Sequence, residues 1–124
     1  MRMKLNNTEM LWLGKLFSVD FKGKEILQNQ LLKAEITVYE EFSFISLKFN
    51  IDVSIKRFPF NDIVPVEMRA FQENSAPIIF LLCVIDGFID EIEVFTADSS
   101  EINTDLINLE NIEYIIDEKV CSVT

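Results

Sequence analysis

Two carboxylates, Glu91 and Glu93, stand two residues apart in the run Asp86-Gly87-Phe88-Ile89-Asp90-Glu91-Ile92-Glu93-Val94-Phe95. On a strand, residues i and i+2 share a face about 6.5–7 Å apart, close to the spacing at which an acid and a base flank the scissile bond in inverting glycosidases. Acidic residues at this interval are equally ordinary on a solvated strand, and nothing in the sequence marks a sugar-binding cleft beside them. Other constellations fail on composition. Histidine is absent from all 124 residues, so Ser18, Ser43 and Ser75 have no imidazole base, and Cys-His catalysis and histidine metal sites fall with it. Two cysteines, Cys83 and Cys121, are too few for a zinc cluster or a disulfide framework. Cys83 lies inside the apolar run Ile78-Ile79-Phe80-Leu81-Leu82-Cys83-Val84-Ile85 and reads as a buried, inert thiol. Gly14, Gly23 and Gly87 are isolated, so no phosphate-cradling loop exists, and residues 86–91 lack the alternating oxygen ligands of a calcium loop. Trp12, at helical spacing among apolar neighbours, reads as core. No cofactor, metal or catalytic residue is expected, and the chain reads as a non-enzyme.

The elements that would carry these side chains follow from periodicity. Residues 8–17 read as a short helix capped by Asn7 or Thr8, with Met10, Leu13 and Phe17 on one face and Trp12 and Leu16 beside them. A second helix fits 24–33, with Leu27, Leu31 and Ala34 as its stripe and Gln28, Asn29 and Lys33 in water. From residue 35 the period becomes two. Residues 35–41 alternate; then Ile45, Leu47, Phe49, Ile51, Val53 and Ile55 occupy successive odd positions, which gives one long strand or two joined by a bend near Asn50. Phe58-Pro59-Phe60-Asn61-Asp62 breaks the pattern. Alternation resumes over 64–73, Asn74-Ser75-Ala76-Pro77 supplies a turn, and 78–85 and 88–96 form a hairpin about Asp86-Gly87, a pair suited to the positive φ of a type I′ turn. Residues 98–108 read as loop and 112–116 as a last short strand. Helix, helix, then consecutive strands implies a single α+β domain over 1–124, with two N-terminal helices packed on one face of an antiparallel sheet of about five strands.

A two-residue turn with strict alternation pairs Ile85 with Phe88, Cys83 with Asp90, Leu81 with Ile92 and Ile79 with Val94 on one face, the face expected under the helices. The opposite face then receives Phe80, Leu82, Glu91, Glu93 and Phe95, joined by Glu67, Arg69 and Phe71 from the preceding strand. Rings among carboxylates suit a protein interface, and Glu67, Phe71, Phe80, Glu91, Glu93 and Phe95 are the expected partner-binding residues. The bland alternative is that residues 97–124 or the 58–62 loop half-cover this face.

Apolar residues make up 49% of the chain, enough for a core and too many for intrinsic disorder. Eleven basic and 21 acidic residues give a net charge of −10, so nucleic acid and anionic membrane should be repelled. The charge is uneven: residues 1–60 hold nine basic and seven acidic groups, and residues 61–124 hold two and 14. Such a field either solubilises the protein or attracts a basic partner. No apolar run approaches the roughly 20 residues that span a bilayer, and no leader is recognisable, so a cytoplasmic location is expected.

The segment from Val64-Pro65-Val66-Glu67 through the apolar strand 78–85, the Asp86-Gly87 turn and Glu91-Ile92-Glu93-Val94-Phe95 resembles small bacterial α+β proteins of unknown function; Val19-Asp20-Phe21-Lys22-Gly23 matches their N-terminal part. Cys83 stands where that pattern has a histidine. The resemblance implies no activity and carries no site residue over. Three readings remain: an acidic protein-binding module, including the immunity type that neutralises a basic partner; a homo-oligomeric structural domain such as a homodimer; and a small enzyme using carboxylates alone.

Overall fold

The computed structural model describes residues 1–52, 54–73 and 75–116; Val53, Asn74 and Cys121, placed above in a strand, a turn and the cysteine count, lie outside the described residues. Helix α1 (Asn7–Leu16) opens on a capping box: Asn6 Oδ1 accepts from the Glu9 amide at 2.8 Å, and Glu9 accepts from the Asn6 amide at 2.9 Å. Glu9 is only 2% exposed and is held by both prongs of Arg2, at 2.9 and 2.6 Å. Arg2 also donates to Glu40 and pairs its main chain with Val38 in both directions, so the N-terminal segment ties α1 to the sheet edge. The buried stripe of α1 is Glu9, Trp12 and Leu16; Met10, expected inside, is 58% exposed. The helix turns this way because the Trp12 indole packs edge-on against Phe80 with centroids 5.3 Å apart.

Helix α2 (Lys24–Leu31) begins after Gly23, whose φ of 78° and approach to the Phe58 ring leave no room for a side chain. It buries Leu27 and also the polar Gln30, on which the sequence pattern is silent. The Gln30 amide donates to Lys56 O at 3.0 Å and Gly87 O at 2.9 Å and accepts from the Ile89 amide at 2.8 Å. One buried side chain thus joins α2, the 51–65 connector and the hairpin tip, with every strong bonding atom of its amide used.

The strands are β1 (Glu35–Glu40), β2 (Phe44–Asn50), β3 (Val66–Gln72), β4 (Ile78–Ile85), β5 (Phe88–Thr96) and β6 (Ile107–Ile116), in antiparallel order β1-β2-β5-β4-β3-β6. Strand β2 closes at Asn50 and residues 51, 52, 54 and 55 are in no strand, so neither the single long strand nor a second strand beyond the bend forms among the described residues. The final strand is longer than expected, beginning at Ile107, and pairs with β3 through a register break between Arg69 and Phe71. Both helices pack on one face, α1 against β3 and α2 against β5. That face carries Val38, Ile45, Leu47, Phe49, Val66, Met68, Ala70, Ile78, Phe80, Leu82, Val84, Ile89, Ile92 and Val94, all buried. The fold is the expected α+β arrangement with its N-terminal helices on one side of an antiparallel sheet.

The hairpin forms with the expected strand ends and with positive φ at both Asp86 (52°) and Gly87 (85°). Its register departs from strict alternation after two pairs. Val84 opposes Ile89, but Cys83 opposes Glu91, Leu82 opposes Ile92 and Leu81 opposes Glu93, leaving Asp90 as an extra residue in β5. This bulge lets Ile89 and Ile92, three apart, both enter the core. It also reverses the expected facing of β4: Ile79, Leu81 and Cys83 lie on the outer face and Phe80 and Leu82 on the inner.

Candidate functional site

The bulge decides what the helix-free face of the sheet displays. From β5 come Glu91, Glu93 and Phe95; β2 adds Phe44, Ser46 and Lys48, β4 adds Ile79, Leu81 and Cys83, and β3 adds Glu67, Arg69 and Phe71. On β6, Glu113 opposes Arg69 and Ile115 opposes Glu67. Five of the six expected residues therefore share this face. Phe80 does not: it is fully buried beneath α1, a correction forced by the one-residue bulge. Sequence reasoning in turn missed Phe44, Ile79 and Leu81. Phe44 opposes Phe95, which opposes Ile79, so an apolar row crosses β2, β5 and β4.

Both helices lie on the opposite face, and at the β3–β6 end of this one Asp62, Ile63 and Val64 line a cleft with Glu67 and Ile115. The 58–62 loop begins on the helix side, where the Phe58 amide donates to Gly87 O at 2.7 Å and the Phe58 ring is buried against Gly23, and its end at Asp62 reaches the cleft beside Glu67 and Ile115. Residues 107–116 of the expected covering tail form β6 in the plane of the sheet, while 117–124 lie outside the described residues. Phe44, Ile79, Leu81, Cys83 and Phe95 are accordingly half-buried, and Phe71 is 38% exposed.

Charge on the face is mostly acidic. Among the described residues, Glu35, Glu67, Asp90, Glu91, Glu93 and Glu113 stand against Lys48 and Arg69. Lys48 Nζ holds Asp90 Oδ2 at 2.9 Å, and Arg69 Nε holds Glu67 Oε2 at 2.7 Å. The hydrogen bond from Lys48 to Asp90 holds the Lys48 ammonium above its ordinary pKa. Glu91 accepts from the Ser46 hydroxyl. Glu93 and Glu113 have no cationic partner within salt-bridge reach among the described residues. The acidic residues Asp98, Glu101 and Asp105 lie in the exposed connector before β6, off this patch.

Cys83 sits beside Glu91 and near Glu93, its Sγ 3.7 Å from Glu93 Oε1. Burial, with the negative field of both carboxylates added, pushes its thiol pKa up to about 12. The expected result in a Cys121→Ser background is iodoacetamide labelling at pH 8 roughly a thousandfold slower in the native protein than in urea, as the thiolate fraction dictates. Native and unfolded rates within a few-fold would show that the thiol is not held neutral. Because the folded state retains this proton more tightly, the associated stability is fully present below the ordinary thiol pKa of about 9 and is lost as pH climbs toward about 12.

Glu91 and Glu93 lie on the open sheet, away from two polar clefts of about 380 Å³. One is lined by residues including Arg57, Asn61, Asp62 and Asp86, the other by residues including Lys15, Ser18, Asp20 and Tyr114. Among the described residues no group of three or more acidic or cysteine side chains could hold a metal ion, and no helix is long and apolar enough to cross a membrane. Comparison with protein-family models, with curated proteins and with solved structures finds no match for this chain.

Proposed function

We propose that this chain is a non-enzymatic acidic binding module that captures a basic protein on the outer face of its sheet, as an immunity-type inhibitor neutralises a basic partner. The observation that carries this reading is the helix-free face itself. Both helices cover the other side, and the apolar row Phe44–Phe95–Ile79 with Leu81 is left half-buried on a face that carries six carboxylates and two cations among the described residues. Rings and aliphatic side chains of this kind anchor a partner once water is expelled, while the surrounding charge selects it and speeds encounter. A basic protein satisfies both demands. A second copy of this chain does not, because its own carboxylates would oppose these.

The test is capture from a lysate of the source organism on wild-type and Glu91→Lys/Glu93→Lys baits, at about 50 and about 300 mM salt. The expected result is one basic protein held stoichiometrically by the wild type, weakened by salt and reduced at least about tenfold by the double variant. Retention unchanged by charge reversal, or recovery of the bait alone, overturns the reading.

A further inference from the structure

The outer face has a direction as well as a charge. Strand β4 lies between β5 and β3, and its outward residues Ile79, Leu81 and Cys83 carry no charge. On one side Glu91 opposes Cys83 and Glu93 opposes Leu81; on the other, Glu67 opposes Leu81. An uncharged stripe one strand wide thus runs between an acidic flank on β5 and a flank on β3 where Glu67 is paired with Arg69. Strands lie about 4.8 Å apart, so the flanks are roughly 9.5–10 Å from each other. That is close to the roughly 10–12 Å diameter of an α-helix with its side chains. Continued through Ile85, which is 54% exposed, the stripe is about 20 Å long, matching a helix of about 13 residues.

The flanks are not alike along their length. Beside Ile79 stand Phe95, with Phe44 beyond it, and Arg69, which is held by Glu67; carboxylates gather toward Cys83. Resting on the reading of this face as the site of a basic partner, we infer that the partner presents an amphipathic helix lying along β4. Its apolar side covers Ile79, Leu81 and Phe95, and its lysines or arginines are concentrated over the Cys83 end. Long basic side chains reach sideways from a helix to both flanks while their charged heads stay at the wet rim. A partner sheet requires an apolar width of several strands and would press Glu67, Glu91 and Glu93 beneath it, where desolvation is costly. A second copy sets these carboxylates against their like.

The probe is a set of three peptides of about 14 residues titrated into the isotope-labelled full chain by NMR. One carries leucines at helical spacing flanked by lysines. The second has the same composition in strict alternation, and the third replaces lysine by glutamate. The expected result is that the first alone shifts amides of residues 79–83, 91–95 and 67. It should become helical on binding, bind at least about tenfold tighter than the alternating peptide, and lose at least about tenfold against Glu91→Lys/Glu93→Lys.

Equal or tighter binding of the alternating peptide overturns the helix, and so do shifts confined to other elements or affinity indifferent to charge reversal. Shifts of the same amides on concentrating the chain alone assign the face to a second copy and overturn it as well. The capture experiment separates the two levels. A basic protein lost on charge reversal, with no response to the helical peptide, overturns this inference and leaves the binding module standing.

Discussion

Replacing Phe80 with alanine should lower stability by about 3–5 kcal/mol, whereas the same change at Phe95 should cost about 1 kcal/mol. Both rings belong to the hairpin and both stand among apolar neighbours, yet they lie on opposite sides of the sheet. Phe80 is fully buried and meets Trp12 edge-on at 5.3 Å, so truncation opens a cavity under α1 and removes an aromatic contact together. Phe95 is half-buried on the helix-free face, where water fills the space a lost ring leaves. Against a total stability of about 5–15 kcal/mol the first loss is large, equivalent to a fall in Tm of roughly 10–20 °C for a chain of this size. Urea unfolding of the two variants, with matching m-values, makes the comparison. Equal losses, or a greater loss at Phe95, would place Phe80 outside and invalidate the bulged register.

The contrast between these rings marks where the sequence is readable and where it is not. Both hairpin strands and their turn are legible to the residue, because an apolar run, Asp-Gly and a second run constrain one another locally. The facing of β4 is not legible from the turn alone, since one extra residue in β5 inverts every later pair. A signal is nonetheless present. Ile89 and Ile92 are three apart with Asp90 and Glu91 between them, and strict alternation sends one isoleucine into water; a bulge after Ile89 admits both. The first half of β6 was legible too, in the alternation Ile107-Asn108-Leu109-Glu110, masked by the polar residues before it. Gln30 offers no such trace. It follows Gln28 and Asn29, which are exposed, and its burial depends on the Lys56 and Gly87 carbonyls arriving from 26 and 57 residues away. Nor does α1 disclose that Met10 faces water, because its rotation is set by where Trp12 finds Phe80.

Deleting Asp90 should leave the fold intact at a cost of about 1–2 kcal/mol, whereas deleting Glu93 should abolish cooperative unfolding, a loss of more than about 4 kcal/mol. The two deletions remove one residue and one carboxylate each from the same strand, so chain length and net charge are matched. Without Asp90 the ladder becomes regular: Val84 still opposes Ile89, Cys83 still opposes Glu91 and Leu82 still opposes Ile92. What is lost is the Lys48–Asp90 ion pair and the local bend near the tip that docks on Phe58 and Gln30. Without Glu93 the strand has two ways to adjust, and both fail. If the bulge stays, Val94 turns outward and Phe95 is driven into the core. If the bulge is consumed, Val94 and Phe95 keep their places, but Glu91 is buried and Ile92 exposed. Thermal unfolding, with the near-ultraviolet signal of Trp12 as the probe of packing, distinguishes the pair. Equal effects would mean that Asp90 is an ordinary ladder residue and that Phe80 and Leu81 have been assigned to the wrong faces. The Asp90 deletion also bears on function: Glu91 and Glu93 remain on the outer face, so it should still capture a basic partner that the Glu91→Lys/Glu93→Lys variant releases.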